Sequence, residues 1–406
     1  MHKTGLDNYR QIFQNVSFRR YWMGFAFSFM GDMITRVSMT WFVWETTQSE
    51  AALGWLSFFY LFPVVVGGFV AGWLLDRFDR RKVMLIDSIA RGVVVLIVPV
   101  LYALNLLEIW HIYAVVSVYG FLFMIAAAGG PSILPSLVPE EQLSTANALE
   151  MLGFTLSNVV APPLAGYLIP ILGAPNLLIF DAFTYFAFAL ALAGVSYRPQ
   201  AAGPEKENDN SQRMGDVVRL VVKHPVLRTI TLMYMAANIA GGAAFVWLPV
   251  FADKTLGGGS ELYGILLGFS ATGQVVSSIL AGMLTPPLAL GSMIILFQFF
   301  VGGTLLSLLT FHIPVVAAGL LISGFFDAPL TIWAQTVRMK IIPAELRGRT
   351  FALLRTLMIG ALPLGGLLGG AVLPVIGMTA MIGLSSAVHI TSALLGSQVK
   401  ALRRAT

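Results

Sequence analysis

The sequence predicts an all-α membrane protein with twelve transmembrane helices arranged as two parallel-repeat six-helix bundles. Three observations carry that expectation. Of 406 residues, 57% are hydrophobic and 11% charged, with a mean hydropathy of +0.80. Soluble domains carry nearer a quarter charged residues, so a soluble globular chain and a disordered one are both excluded. Twelve apolar runs are long enough to cross a hydrocarbon core that needs roughly 20 residues per helix. Finally, the Lys and Arg residues between those runs fall almost entirely on one side. Cysteine is absent, which excludes disulfides, thiolate metal sites and cysteine nucleophiles.

The runs follow in order. Tyr21 to Trp44 comes first; it is too long for a signal peptide and no small-residue cleavage site follows it. Ala51 to Leu75, Val83 to Leu104, Ile112 to Leu134, Ala146 to Leu172 and Asn176 to Tyr197 complete one set of six. They must be helices, because a lipid-facing backbone has to satisfy its own hydrogen bonds and the runs do not alternate as barrel strands do. Arg198 to Arg228 is the only long polar stretch. Its Gly203 to Ser211 part reads as a flexible linker, and Gly215 to His224 interleaves valines with Asp216, Arg219 and Lys223, as suits a short helix on the cytoplasmic membrane surface. The second set runs Thr229 to Phe251, Leu262 to Leu284, Leu288 to Phe311, Val315 to Val337, Phe351 to Leu373 and Ile376 to Gln398. The expected domains are therefore a bundle over 1–197, a linker with its surface helix over 198–228, and a bundle over 229–406.

With the N-terminus in the cytoplasm, 23 of the 25 Lys and Arg fall on the cytoplasmic side; only Lys254 faces outward and Arg36 lies inside the first run. The positive-inside rule then places both termini in the cytoplasm, with the protein in the cytoplasmic membrane. The net charge of +5 is accordingly topology, and a nucleic-acid partner is not expected.

The halves repeat each other. Leu53-Gly54 answers Tyr263-Gly264 and Ala71-Gly72 answers Ala281-Gly282, both displaced by 210 positions. Pro139 with Glu141 answers Pro343 with Glu345 at 204, and Pro163 to Gly166 answers Pro363 to Gly366 at 200. A parallel repeat of this kind is one architecture of transporters that rock around a central site.

Between the second and third runs the chain reads Gly72, Asp76, Arg77, Asp79, Arg80, Arg81, Lys82. Gly72 would let two helices approach closely, and the charges could form a lock between cytoplasmic helix ends; plain topogenic charge is the other reading. This segment resembles the signature loop of the major facilitator superfamily, G-x-x-x-D-R-x-G-R-R/K. Gly72, Asp76, Arg77, Arg80 and Arg81 match, while Asp79 replaces the usual glycine. That replacement, with Asp87 and Arg91 opening the third run, Pro135 to Glu141 with Asn147, and Pro343 to Arg349, is similar to the branch of macrolide-efflux proteins and the enterobactin exporter. The likeness covers the whole chain and implies the major facilitator fold. The matching loop of the second half, Thr285 to Gly291, carries no charge. In the fifth run Ala148, Ser157, Ala161, Pro162, Ala165 and Gly166 follow the glycine-rich antiporter pattern with every position small; Pro162, Pro163 and Gly166 serve helix packing in either reading.

Charges at membrane depth are costly and mark function. Asp32 and Arg36 share a helix face with Ser28 and Thr40; Ser323, Asp327, Thr331 and Gln335 form a polar stripe every four residues. The resemblance implies that the first, fourth, seventh and tenth helices line a central cavity, to which Tyr119 and Phe123 and then Tyr234, Asn238 and Phe245 would contribute. Such a cavity suits an amphipathic or cationic organic molecule. Asp32 with Arg36 reads either as a proton-coupling pair or as a structural ion pair to its own helix or a neighbour. Asp327 has no cation nearby in sequence and is the better proton carrier. Asp181, Glu150, His312 and His389 read as packing or interfacial groups.

The expected function is secondary active export of a drug-like or siderophore-like molecule by proton antiport through alternating access. The expected partners are a small-molecule substrate, protons and the lipid bilayer, and the expected state is a monomer. A facilitator of a metabolite, lipid or metal is the alternative within transport, and a non-transporting receptor or scaffold a remote one. No phosphate-cradling loop, Ser/His/Asp set or metal-ligand spacing appears, so no cofactor, metal or enzymatic activity is expected.

Overall fold

The computed structural model describes residues 5–195, 210–283 and 285–406. The linker up to Asp209, with Arg198 and Lys206, and Leu284 at the end of the eighth run lie outside the described residues. Among the described residues every regular element is helical. They are α1 (Gly5–Gln14), α2 (Val16–Thr47), α3 (Glu50–Arg77), α4 (Arg80–Ala103), α5 (Ile109–Ile133), α6 (Leu143–Leu172), α7 (Ala174–Ala193), α8 (Asn210–Lys223), α9 (Pro225–Val250), α10 (Gly259–Met283), α11 (Leu290–Leu305), α12 (Ile313–Ile341), α13 (Arg347–Gln398) and α14 (Lys400–Arg403).

Ten of these helices are long and apolar enough to cross a membrane. The longest, α13, holds two spans, because Gly377 has φ 77, a left-handed value that glycine adopts without a Cβ clash and that breaks the helix into two arms. With α2, whose hydropathy Asp32 and Arg36 depress, the described helices accommodate twelve spans. The fold is an all-α membrane fold, as the hydropathy requires.

The chain divides into two compact units, residues 1–46 with 59–204 and residues 47–58 with 205–406. The opening turns of α3 thus group with the second unit, where Gly54 lies against Gly366 and Gly370 of α13.

In the first unit, Asn15 caps α2 by accepting from the Ser17 and Phe18 amides at 3.0 and 3.1 Å, which satisfies helix-start donors that would otherwise be orphaned. The Asn15 amide also donates to the Leu137 carbonyl at 2.7 Å. α2 packs on α6 through its aromatic residues: Trp22 Nε1 donates to the Leu149 carbonyl at 2.6 Å and the Tyr21 hydroxyl to Glu150 Oε1 at 2.7 Å. Phe18, Tyr21, Phe25, Phe29, Phe188 and Leu192 fill the core beside them.

In the second unit, α9 crosses α13 where Gly242 meets the Leu362 carbonyl and Gly365 meets that of Ile239. The C-terminal segment folds back on α11: the Gly291 amide donates to the Ala405 carbonyl at 2.9 Å, Ser292 Oγ to that of Arg403 at 2.8 Å, and Leu402 is buried. On α8, Val217 and Val221 are buried while Met214, Val218 and Val222 are exposed.

The internal repeat is visible in backbone contacts. In the first unit α3 crosses α5 where a Cβ on Gly67 would strike the Phe121 carbonyl and one on Gly120 the Tyr60 carbonyl. In the second unit α10 crosses α12 where Gly273 meets the Leu321 carbonyl and Gly324 that of Ser270. The two glycine pairs are displaced by 206 and 204 positions, within the spread of the sequence repeat. Four small residues therefore set two crossings of the same kind.

Candidate functional site

The first unit holds a buried ionic cluster. Asp32 is 1% exposed. Its Oδ1 accepts from the Tyr119 hydroxyl at 2.7 Å, from Arg91 Nη1 at 3.2 Å and from the Tyr185 hydroxyl. Arg91, also 1% exposed, donates through Nη2 and Nε to Asp87 Oδ2 at 2.9 and 3.2 Å, and its guanidinium lies 4.4 Å from the Tyr185 ring centroid. Asp181 accepts from Thr35 at 2.5 Å and from Thr184 at 3.2 Å, in space that the missing side chain of Gly31 leaves open. Asp32 Oδ2 and Asp87 Oδ1 have no hydrogen-bond partner among the described residues.

This arrangement corrects several sequence expectations. Arg36, one turn from Asp32, is exposed, and the cation that meets Asp32 is Arg91 of the neighbouring α4. Arg91 does not belong to the expected collar of cytoplasmic cations: eleven residues into α4, it lies about 16 Å along the helix from Arg80. Tyr119, expected to face a substrate, is buried against Asp32. Ser28 is buried as well, and Phe123 packs edge-on against Phe29 at 6.1 Å. The sequence signal for Arg91 was its i,i+4 spacing from Asp87; Asp181 stood out only as a packing or interfacial carboxylate, and Tyr185 carried no signal.

In the second unit the polar stripe of α12 is accessible: Asp327, Thr331 and Gln335 are exposed and Ser323 is buried at its N-terminal end. Asp327 forms no hydrogen bond or ion pair among the described residues. On α9, Asn238 Nδ2 donates to the Met358 carbonyl of α13 at 2.7 Å, and Phe245 is half-buried. The Tyr234 ring lies 4.9 Å from the Arg338 guanidinium. Arg338 is a second departure from the collar, for it is 4% exposed. A groove of about 590 Å³ between α9 and the second arm of α13, lined by residues such as Leu232, Met233, Leu384 and Leu395 with Arg228 at one end, contains none of the stripe residues.

The loop after α3 is built differently from the expected lock. Asp79 caps α4, its carboxylate accepting from the Lys82 amide at 2.9 Å. Arg80 Nη1 donates to the Ser132 carbonyl at 2.8 Å, while Arg81 donates to the Leu192 carbonyl at 2.7 Å and to that of Ala193. These arginines hold the carbonyl ends of α5 and α7, where the helix dipole favours a cation. Asp76 is exposed, and Arg77 stacks 5.6 Å from the Trp73 ring centroid. A Cβ at Gly72 would meet nothing within 4 Å, so the expected close helix approach is not its role here. In α6, Pro162 and Gly166 are buried and Pro163 half-buried, within a continuous helix.

A family model described as Major Facilitator Superfamily matches residues 21–356. The chain belongs to the major facilitator superfamily. This member is 24% identical over 347 residues to the staphyloferrin A transporter of Staphylococcus aureus (84% of this chain, 85% of that one), and 25% identical over 411 residues to macrolide efflux protein A of Streptococcus pyogenes (96% and 97%). It is 26% identical over 354 residues to the enterobactin exporter of Shigella boydii (83% and 80%). The major facilitator fold is shared with the crystal structure of a bacterial homologue of the iron transporter ferroportin, at a TM-score of 0.73, 15% identity and coverage of 94% and 98%. This superfamily member is thus a multi-pass membrane transporter of small molecules, from a family of transporters and not of enzymes.

Proposed function

We propose that the protein is a monomeric exporter of the cytoplasmic membrane that moves an amphipathic, drug-like or siderophore-like molecule outward in exchange for protons, by alternating access. The observation that carries this reading is the exposed stripe of Asp327, Thr331 and Gln335 on a membrane-spanning helix. A carboxylate at that depth has to serve a hydrated path or a cargo, because lipid would not tolerate it. The names of the relatives, two of them siderophore transporters or exporters and one an efflux protein, support the cargo class. The collar of cations supports cytoplasmic termini.

Proton carriage belongs to Asp327. Asp32 Oδ1 accepts from Arg91, Tyr119 and Tyr185, and we assign Asp32 a structural role that holds α2 to α4, α5 and α7. The test is accumulation of a macrolide, enterobactin or staphyloferrin A in inside-out vesicles, with and without a protonophore. Accumulation should stop when the proton gradient collapses; undiminished uptake overturns antiport. Asp327→Asn should abolish coupled uptake in a protein that still folds, and full activity in that variant removes Asp327 from the mechanism.

A further inference from the structure

Arg338 is a buried cation with no acid beside it. It is 4% exposed, its Nε has no hydrogen-bond partner, and no carboxylate forms an ion pair with it among the described residues. What it does touch is weak: Nη2 donates to the thioether of Met358 at 3.2 Å, and the guanidinium stacks on Tyr234 at 4.9 Å. A thioether is a poor acceptor, and a ring face offers less than a carboxylate. Burying a guanidinium on these terms is costly unless an anion completes the site.

The position of Arg338 says where that anion comes from. It lies eleven positions after Asp327, just over three helical turns, so both project from one face of α12 within roughly 20°. Arg338 therefore ends the accessible stripe at its cytoplasmic side, about 16 Å from Asp327 along the helix. The Tyr234 hydroxyl, also buried, faces Thr331 of the stripe without closing a hydrogen bond. Met358 ties the corner together, since its carbonyl holds Asn238 while its sulfur meets Arg338.

We propose that Arg338, assisted by the Tyr234 hydroxyl, is the recognition point for an oxyanion on the transported molecule, such as a carboxylate. The cargo class is then one bearing an acid group, in place of the neutral or cationic compounds that the acidic residues alone would favour. Guanidinium geometry suits a planar oxyanion through two parallel N–H donors. This inference rests on the reading of the chain as an exporter of small organic molecules.

The test uses the full-length protein in a neutral detergent. Citrate, malate, phosphate and 2,3-dihydroxybenzoate are compared with chloride at equal ionic strength, and citrate with its neutral trimethyl ester, by thermal unfolding. At least one of the anions should raise Tm, and the ester should not. Arg338→Gln should remove the response, corresponding to binding weaker by roughly tenfold or more, and Arg338→Lys should restore part of it. Tyr234→Phe keeps the ring and the fold, and should weaken the response in a protein of unchanged basal Tm. The proposal is overturned if no anion stabilises the wild type more than Arg338→Gln or, should that variant not fold, more than Tyr234→Phe. It is also overturned if only phosphatidylglycerol micelles do so, since the anion would then be a lipid headgroup. Proton-coupled uptake of an anion that stabilises the wild type, if indifferent to Arg338→Gln, would leave antiport standing and remove this site. Anion binding that depends on Arg338, together with uptake indifferent to a protonophore, would do the reverse.

Discussion

Replacing Arg91 with methionine removes the guanidinium from the buried cluster of the first unit, keeps much of the aliphatic volume, and takes a partner from two carboxylates. Arg91 makes two charge-assisted hydrogen bonds to Asp87, at 2.9 and 3.2 Å, and one to Asp32 at 3.2 Å. At about 1.5 kcal/mol each, the low end for bonds to charged groups, these total about 4.5 kcal/mol, close to the roughly 3–5 kcal/mol lost when a buried pair loses one partner. The two carboxylates are not equally exposed to the change. Asp32 keeps the hydroxyls of Tyr119 and Tyr185, whereas Asp87 has no other partner among the described residues. Most of the loss therefore arises at Asp87, and adding Asp87→Asn to Arg91→Met should recover about half of it. Unfolding by SDS titration in mixed micelles measures both variants. An Arg91→Met protein within 1 kcal/mol of wild type, or one that Asp87→Asn does not improve, would refute the assignment of Arg91 as the counter-ion of this cluster.

Gly120→Ala should cost about 1–3 kcal/mol through the clash with the Tyr60 carbonyl, while Gly72→Ala, with open space around it, should stay within about 0.5 kcal/mol; thermal melts in detergent compare the two. Asp79→Ala should lose about 1 kcal/mol with the cap of α4, but Asp79→Gly, which restores the residue usual at that motif position, only a few tenths, read in the same melts. Gln298→Leu should destabilise the second unit by about 1–3 kcal/mol, because it strands the buried His389 ring, which Gln298 meets at 3.0 Å, and removes the donor that Ser392 Oγ accepts from at 3.2 Å. Hydrogen exchange of α11 and the second arm of α13 should rise in that variant and nowhere in the first unit.

Hydropathy made the helices legible because lipid leaves the backbone no alternative to helix, and the boundaries of α4, α6 and α12 fall within a few residues of the apolar runs. The reading of buried charge was less successful for a physical reason. Arg91 and Arg338 look like collar residues in a linear count, since each lies near a cationic segment; only the helix start at Arg80 and the packing of α9 and α13 around Arg338 show that both are buried. Asp32 and Arg36 sit one turn apart, yet the first points into the unit and the second is exposed, because neighbouring helices compete for the carboxylate and tertiary partners decide the outcome. Tyr185 contacts Asp32 across 153 positions, a separation at which no local pattern operates. The stripe of α12 was legible because one helix carries it whole.

The glycine pairs that set the α3–α5 and α10–α12 crossings have a consequence for how such chains drift. Each glycine rests on a carbonyl oxygen, and the residues owning those oxygens are Phe121, Tyr60, Leu321 and Ser270, which have nothing in common as side chains. A mutation at any of the four alters what points away from the contact and leaves the oxygen in place. Inheritance of the crossing thus demands one glycine on each helix and leaves free the residues that own the oxygens. A lineage can exchange nearly all its side chains under that rule, which fits a fold shared at 15% identity with the ferroportin homologue. Two halves of one gene can likewise forget their common ancestry in sequence while still crossing their helices in the same way.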